Sequence, residues 1–195
     1  MLIIEPVVLT GRFIRLEPLT LAHHDGMCEV GLDEDLWRWI PTQVHSREDM
    51  LKYIQTALQW QSDGSALPFA NIDLASNRLA GCTRYMNIDK VNHHVEIGAT
   101  WVARPWQRTA VNTEAKYLMM RHAFETLGCL RVELKTDELN ARSRAAILRL
   151  GAKEEGVFRN HVICDTGRIR NSAWYSVIDS EWPAVKASLE EKLRA

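Results

Sequence analysis

The chain has 195 residues, of which 46% are hydrophobic and 25% are charged, and its formal net charge is -1. This length suits one well-buried domain, expected over residues 1–195, and the balanced charge gives no overall attraction to nucleic acid or to an anionic membrane. The N-terminal residues lack the pattern of a secretory signal, and no apolar run is long enough to span a membrane. The four cysteines have no metal-ligand spacing and are expected to be reduced. We therefore expect a cytoplasmic protein without a metal site.

The N-terminal half shows strands bounded by turn residues and helices that begin at a capping residue. It predicts a strand over residues 9–16, a helix over 21–32, a helix between Ser46 and Gly64, and strands over 66–74 and 79–88. The second helix begins at Ser46, which has Asp49 three residues later in the spacing of a capping box. The strands predicted over residues 66–74 and 79–88 are joined by a turn, so they should form an antiparallel meander with the strand that follows.

A strand, a loop and a long helix follow one another over residues 95–112. The alternation predicts that Val95, Ile97, Ala99 and Trp101 lie on one face of the strand, with Glu96, Gly98 and Thr100 on the other. The loop over residues 103–110 is basic and ends where the first amides of the next helix need acceptors. An anion would satisfy both those amides and the helix dipole, so the stretch predicts a site for a phosphate-bearing cofactor.

The C-terminal half predicts a helix over 111–127, a strand over 130–137, a helix over 141–150 capped by Asn140, a hairpin over 153–178 and a last helix over 182–193. The first of these helices connects two strands. Because a crossover helix normally joins parallel strands, the strands on either side of it should run in the same direction.

The loop lacks both G-x-G-x-x-G and G-x-x-x-x-G-K-[ST]. It resembles the acyl-CoA loop of the GCN5-related N-acetyltransferases, in which Gln or Arg is followed by two small positions; here Gln107 stands first and Ala110 and Asn112 follow. The wider sequence, with Glu96-Ile97-Gly98 before the loop and Val111-Asn112-Thr113-Glu114 after it, is similar to the branch that contains the ribosomal-protein alanine N-acetyltransferases.

The predicted order β-α-α-β-β-β-α-β-α-β-β is also that of this family, and the resemblance covers about residues 9–182. It implies an α/β (α+β) fold with a mixed, mostly antiparallel sheet of about seven strands, splayed between the fourth and fifth strands and flanked by helices. It also implies that acetyl-CoA (coenzyme A) lies in the gap. By position, Trp101 and Val102 would lie beside pantetheine, Gln107, Arg108, Thr109, Ala110, Val111, Asn112 and Thr113 around the pyrophosphate, and Asn140 on the far wall.

Acetyl transfer to an amine requires a base for the ammonium proton, a polarised carbonyl and a proton for the leaving thiolate. Glu96 is the first candidate base, because relatives of this family carry a glutamate at its position. A structural ion pair is an equally good interpretation of Glu96. His93 and His94 are alternative bases with a suitable ordinary pKa.

Ser143 is the candidate proton donor to the thiolate, because it follows Asn140 by three residues and resembles a hydroxyl position of some relatives. Many relatives use a tyrosine slightly further along, but none stands between Asn140 and Gly151. Water is therefore the alternative donor, and the backbone amide of Val102 is the candidate for polarising the carbonyl.

The predicted function is transfer of an acetyl group from acetyl-CoA to a primary amine, which is either a protein N-terminal α-amine or a small-molecule amine. The alternatives are a non-catalytic acyl-CoA-binding sensor or scaffold and an unrelated nucleotide-binding module. Loops 32–45 and 87–94 and the C-terminal hairpin should select the acceptor. Trp37 and Trp39 predict a substrate mouth, core burial or a homodimer interface.

Overall fold

A computed structural model describes residues 2–194. Eight strands form one sheet in the order β1-β2-β3-β4-β5-β6-β8-β7. The strands are β1 (Leu9–Thr10), β2 (Ile14–Pro18), β3 (Leu67–Asp73), β4 (Arg78–Asp89), β5 (His94–Val102), β6 (Arg131–Asp137), β7 (Lys153–Ile163) and β8 (Ile169–Ile178). The helices are α1 (His24–Gly31), α2 (Glu34–Trp37), α3 (Arg47–Ser62), α4 (Ala110–Arg121), α5 (Ala141–Arg149) and α6 (Trp182–Arg194).

The sheet confirms the predicted mixed α/β architecture, since only the β5–β6 pair is parallel. The expected seven strands are eight, because the strand predicted over residues 9–16 is divided into β1 and β2 by a turn at Gly11. The carboxylate of Glu114 occupies the space beside this turn, and a Cβ added to Gly11 would lie 2.3 Å from its Cδ. The long-range contact with α4 therefore bends a segment whose local pattern is continuous.

Helices cover both faces of the sheet. On one face, Tyr53 of α3 contacts Cys82 of β4. On the other face, the hydroxyl of Tyr85 donates a 2.6 Å hydrogen bond to the carbonyl of Met119 in α4. We refer to these as the α3 face and the α4 face. Trp37 is completely buried in the core, and the four cysteines are buried free thiols.

The helix predicted over residues 111–127 is α-helical only as far as Arg121 and continues as a π-helical turn over His122–Thr126. The Met119 carbonyl, which accepts the hydrogen bond from Tyr85, lies three residues before this π-helical turn begins. In the part of the chain described, no helix is both long and apolar enough to cross a membrane.

The parallel strands β5 and β6 pair over only three rungs, from His94 opposite Arg131 to Glu96 opposite Glu133. Beyond Glu96 the two strands continue without pairing, so a gap opens between them. This is the splay predicted between the fourth and fifth strands, which are β5 and β6 once β1 is included. The last paired rung places Glu96 where the gap begins.

Candidate active site

The strand β5 contains a bulge at Ala99 that changes the predicted side-chain alternation. Gly98 is opposite Arg84 and Trp101 is opposite Cys82, so three residues of β5 advance against two of β4. Ala99 has a φ of 47°, in the left-handed region. The prediction that Trp101 shares a face with Val95 and Ile97 and that Thr100 shares one with Glu96 was therefore wrong. Past the bulge, Trp101 is on the α3 face and Thr100 on the α4 face.

Glu96 lies on the α3 face, is 1% exposed, and forms a local network through one carboxylate oxygen. Its Oε2 accepts a 2.7 Å hydrogen bond from Nδ2 of Asn87 and pairs with Nζ of Lys135 at 2.9 Å. Its Oε1 points toward Gly98, where an added Cβ would lie 2.6 Å away. The ion-pair interpretation of Glu96 therefore describes its contacts, and its role as a base remains a prediction.

The sheet topology brings residues of the C-terminal hairpin to the same face. Nζ of Lys135 lies 4.8 Å from the ring centre of Trp174, and that ring stacks on Phe158 at 4.7 Å. His161 packs edge-on against both rings and contacts the Ser172 hydroxyl at 3.0 Å. No local sequence motif indicated that these residues would lie together. They reach Glu96 only because β6 and β8 are neighbours in the sheet.

Electrostatic conditions on this face favour the neutral form of His161. Burial lowers the pKa of His161 below its ordinary value, and the positive charges of Lys135 and Arg170 lower it further, while Glu96 acts in the opposite direction. A neutral imidazole can accept a proton, so His161 is a third histidine to consider beside His93 and His94. The sequence pattern did not identify it.

His93 and His94 lie at the start of β5, on the far side of Glu96 from the gap. His94 faces Asp89 at 3.4 Å, and His93 contacts the carbonyl of Gly128. Both are therefore at the closed end of the β5–β6 pair, which places them farther from the cofactor loop than Glu96.

The first turn of α4 has backbone amides that could receive an anion. Thr109 is its N-cap and accepts a 3.3 Å hydrogen bond from the amide of Val111. The amides of Ala110 and Asn112 have no acceptor among residues 2–194. Oδ1 of Asn112 is also buried without a partner. Free amides at the end of a twelve-residue helix fit a phosphate group.

Three arginines surround this turn, but only two keep their charge available. Arg104 is paired with Asp33 and Asp35. Arg108, which has a φ of 63°, and Arg142 of α5 are exposed and have no carboxylate partner in the residues described. Both line a cavity of about 320 Å³ together with Gln107. Two exposed guanidinium groups beside free helix amides suit a pyrophosphate.

Gln107 connects the two walls of the site. Its Nε2 donates a 2.8 Å hydrogen bond to the carbonyl of Val102, and its Oε1 accepts one of 3.0 Å from Arg142. The loop after β5 is thereby joined to α5, on the other side of the gap. The side chain of Trp101 instead points into the core, with its ring centre 5.8 Å from that of Trp37, so only its backbone borders the gap.

The start of α5 lies on the other side of the gap from the loop after β5, and the role of Asn140 in binding pantetheine stays a prediction. Oδ1 of Asn140 accepts a 3.1 Å hydrogen bond from the amide of Ser143, so Asn140 is the N-cap and its Nδ2 remains available. Ser143 is partly exposed in the first helical turn. Thr113, the last of the predicted cofactor residues, is buried and lies 3.4 Å from the guanidinium of Arg149.

Residues 14–153 match the Acetyltransferase (GNAT) domain family. The chain belongs to the GNAT acetyltransferase family. It is 32% identical over 113 residues to a Bacillus subtilis (strain 168) protein named "Putative ribosomal N-acetyltransferase YdaF", a match that covers 58% of this chain. The matched region spans 61% of that relative's length.

Solved structures extend the similarity to nearly the whole chain. A GCN5-related N-acetyltransferase from Brucella melitensis is 35% identical with a TM-score of 0.88, over 96% of this chain and 85% of that one. Mycobacterium smegmatis RimJ, solved in complex with CoA-disulfide, has a TM-score of 0.83 over 97% of this chain and 96% of its own. At 20% identity, RimJ shows the shared GNAT fold alone.

Proposed function

We propose that this GNAT protein transfers an acetyl group from acetyl-CoA to the α-amine of a protein N-terminus. The observation that carries the proposal is the gap between β5 and β6, which has Glu96 at its closed end. At its open end lies the start of α4, where the amides of Ala110 and Asn112 have no acceptor among residues 2–194. A phosphate-bearing thioester bound along this gap would have its pyrophosphate at the helix and its acyl group near Glu96.

The cofactor would be held by this chain's own polar groups. The pyrophosphate would be bound by the amides of Ala110 and Asn112 and by the side chains of Arg108 and Arg142. The buried Oδ1 of Asn112, which has no partner among residues 2–194, would accept a hydrogen bond from a donor group of the cofactor. Acetyl-CoA supplies the activated acyl group as a thioester. RimJ of Mycobacterium smegmatis was solved with a CoA species, and this supports the assignment for a chain of the same fold.

Glu96 accepts the proton of the acceptor ammonium, directly or through one water. Lys135 and Asn87 hold Oε2 of this carboxylate, which leaves Oε1 toward Gly98 and the gap. The amide of Val102 polarises the thioester carbonyl, and the hydroxyl of Ser143 or a water returns a proton to the departing thiolate.

The basicity of the acceptor favours a protein N-terminus. An α-amine has an ordinary pKa of about 7.7–8.0 against about 10.4 for lysine, a difference worth roughly 3.4 kcal/mol of deprotonation. A carboxylate is a weak base compared with an amine, so it suits the acceptor that needs less help to lose its proton. The name of the Bacillus subtilis relative, a ribosomal N-acetyltransferase, supports the same choice.

The proposal is tested by measuring CoA release with peptides that begin with a free α-amine and contain no lysine. The matched controls are the same peptides with a blocked N-terminus, and peptides whose only amine is a lysine side chain. We expect turnover with the free α-amine alone. Turnover on lysine or on small amines alone would contradict the assigned acceptor, and CoA binding without release across the panel would favour the sensor alternative.

A further inference from the structure

Lys116 is a buried cation on the α4 face of the bulge. It is 5% exposed, and its Nζ donates hydrogen bonds to Oγ1 of Thr83 at 3.1 Å and of Thr100 at 2.5 Å. The two hydroxyl oxygens are 2.8 Å apart. No carboxylate among residues 2–194 forms an ion pair with this amine. Its charge is therefore held only by neutral hydroxyl groups.

A buried lysine without a carboxylate can be neutral near physiological pH, because burial penalises the charged form. Burial lowers the pKa of Lys116 to about 7, and the influences of Cys82 and Glu96 only partly oppose this. Hydroxyl groups both donate and accept, so Thr83 and Thr100 can hydrogen-bond either the ammonium or the amine. The site can hold both protonation states without moving the helix.

The other ionisable groups around Lys116 are engaged elsewhere. Glu114, in the same helix, accepts hydrogen bonds from the β1–β2 turn, and Tyr117 donates one to Glu190 of α6. Arg149 of α5 contacts the hydroxyl of Thr113. From β4, Cys82 is a neutral thiol whose pKa is raised by burial. Among residues 2–194, Glu96 is the carboxylate whose charge raises the pKa of Lys116, and it acts from the opposite face of the sheet.

Lys116 is connected to the proposed cofactor site in two ways. Thr100 belongs to the part of β5 that no longer pairs with β6 and therefore borders the gap, directly after the bulge at Ala99. Ala110 lies six residues earlier in α4, which corresponds to about 9 Å along the helix axis. Negative charge at the start of α4 should favour the charged form of Lys116. Because Nζ is already buried, a ligand would add this charge while removing little further water.

We propose that Lys116 takes up a proton when a coenzyme A species fills the gap, so that the charge of this buried amine couples cofactor binding to pH. This inference rests on the proposed function, because it requires the anionic cofactor at the start of α4. It makes Lys116 a positioning residue. The charged amine can only donate, so both threonine oxygens accept from it and are held at the bulge. The neutral amine can also accept a hydrogen bond from one hydroxyl, which then reorients.

Calorimetric titration of coenzyme A into the full chain tests the proposal. Titrations at pH 7.5 in phosphate and in Tris, whose ionisation enthalpies differ, give the number of protons taken up on binding. We expect the natural protein to take up about 0.3–0.5 proton more per bound coenzyme A than Lys116→Met does. Ionisation of the coenzyme's own phosphates is common to both titrations and cancels in the difference.

Lys116→Arg is the second variant, because arginine keeps its charge at every pH used. It should bind coenzyme A with the proton uptake of Lys116→Met, and it keeps the test usable if the methionine variant folds poorly. Equal proton uptake in the natural protein and both variants would overturn the inference and leave the cofactor assignment intact. Absence of coenzyme A binding by the natural protein would instead overturn the proposed function, and this inference with it.

Discussion

Helix α4 carries two buried charges, two residues apart, that point into different regions of the protein. Glu114 accepts hydrogen bonds of 2.8, 2.7 and 2.9 Å from the consecutive amides of residues 12–14, at the β1–β2 turn. Lys116 meets only the hydroxyls of Thr83 and Thr100 behind the bulge. Both are 5% exposed. The two side chains are therefore equally buried, but Glu114 is bonded by three backbone amides, whereas Lys116 has only two neutral hydroxyl partners.

The difference separates a structural charge from a functional one. A carboxylate bonded by three amides stabilises the native state, because removing it leaves one buried and two partly buried donors unpaired. A lysine bonded by two hydroxyls costs stability, because burial opposes its charge. Glu114 joins the first hairpin to α4, which accounts for its place after Val111-Asn112-Thr113. Lys116 lies beside the strand that borders the gap, where a titratable group can act on ligand binding.

The comparison is tested most strongly by removing the structural charge. Glu114→Ala should lower the free energy of unfolding by roughly 4 kcal/mol, since each unpaired buried donor costs about 1–3 kcal/mol. Denaturant titration at pH 7 measures the loss. Glu191→Ala, at an exposed position of α6, is the matched control and should change little. A loss below about 1 kcal/mol for Glu114→Ala would contradict the anchoring role.

Removing the other charge should have the opposite sign. Between pH 7 and 10.5, an unfolded chain binds a proton at Lys116 that the folded chain does not, so this residue makes stability rise with pH across that window. At about 1.36 kcal/mol per pKa unit, this lowering of the pKa is worth roughly 5 kcal/mol, of which Lys116→Met should recover roughly 3 kcal/mol at pH 6, because it also loses the hydrogen bonds to the two threonines. The gain should shrink as the pH approaches 10. Urea titrations at several pH values measure it, and a pH-independent difference would exclude titration as its cause.

The carboxylate at the start of the gap offers a third test, now of activity. Glu96→Gln keeps the shape of the side chain and removes its basicity. Because general-base help is typically worth about 10²–10⁴ in rate, kcat/KM near pH 7 should fall roughly a hundredfold, or about 2.7 kcal/mol. The loss should diminish as the pH rises and free amine becomes abundant.

The pH profile of Glu96→Gln distinguishes its roles. A loss that is constant with pH would indicate that Glu96 positions the acceptor through Lys135. An unchanged rate would leave it a structural ion pair. His161→Gln is the companion variant, because it removes the neutral imidazole on the same face and shows whether that group carries the proton instead.

A substitution in the loop before α4 should weaken coenzyme A binding by a smaller factor than Glu96→Gln lowers kcat/KM. Ala110→Glu places a bulky negative group in the first turn of α4, where it would compete with the pyrophosphate for the free amides of the helix. Coenzyme A should bind roughly thirtyfold more weakly in calorimetry, with a thermal midpoint close to that of the natural protein. Ala110→Gln, which adds similar bulk without charge, separates repulsion from crowding. Natural affinity in the glutamate variant would remove this loop from the cofactor site.

The smallest expected effect is that of the candidate proton donor. Ser143→Ala removes a hydroxyl near the far wall while the cap at Asn140, which uses the backbone amide of Ser143, stays in place. We expect kcat to fall roughly fivefold with acetyl-CoA binding nearly unchanged, because water can replace the hydroxyl. Ser143→Thr should retain most activity. Equal turnover by the alanine variant would assign the proton to water or to another side chain.

Most of the element order can be predicted from the sequence, because helix caps, strand alternation and turn residues are local signals. Ser46 begins α3 and Asn140 begins α5 as predicted, since a capping side chain needs only its own helix. The parallel β5–β6 pair followed from the crossover helix between them. The basic loop before α4 was recognisable for the same reason, since a helix exposes its first amides wherever it starts.

The partners of the site residues, and the faces of the sheet on which they lie, depend on tertiary packing. The bulge at Ala99 arises from pairing with β4 and reverses the faces of Thr100 and Trp101, which no alternation within β5 can indicate. The partner of Glu96 is Lys135, on a strand that becomes its neighbour only when the sheet forms. The pKa of Lys116 is lowered because the assembled sheet buries the amine, and burial is a property of the packed protein rather than of the residue.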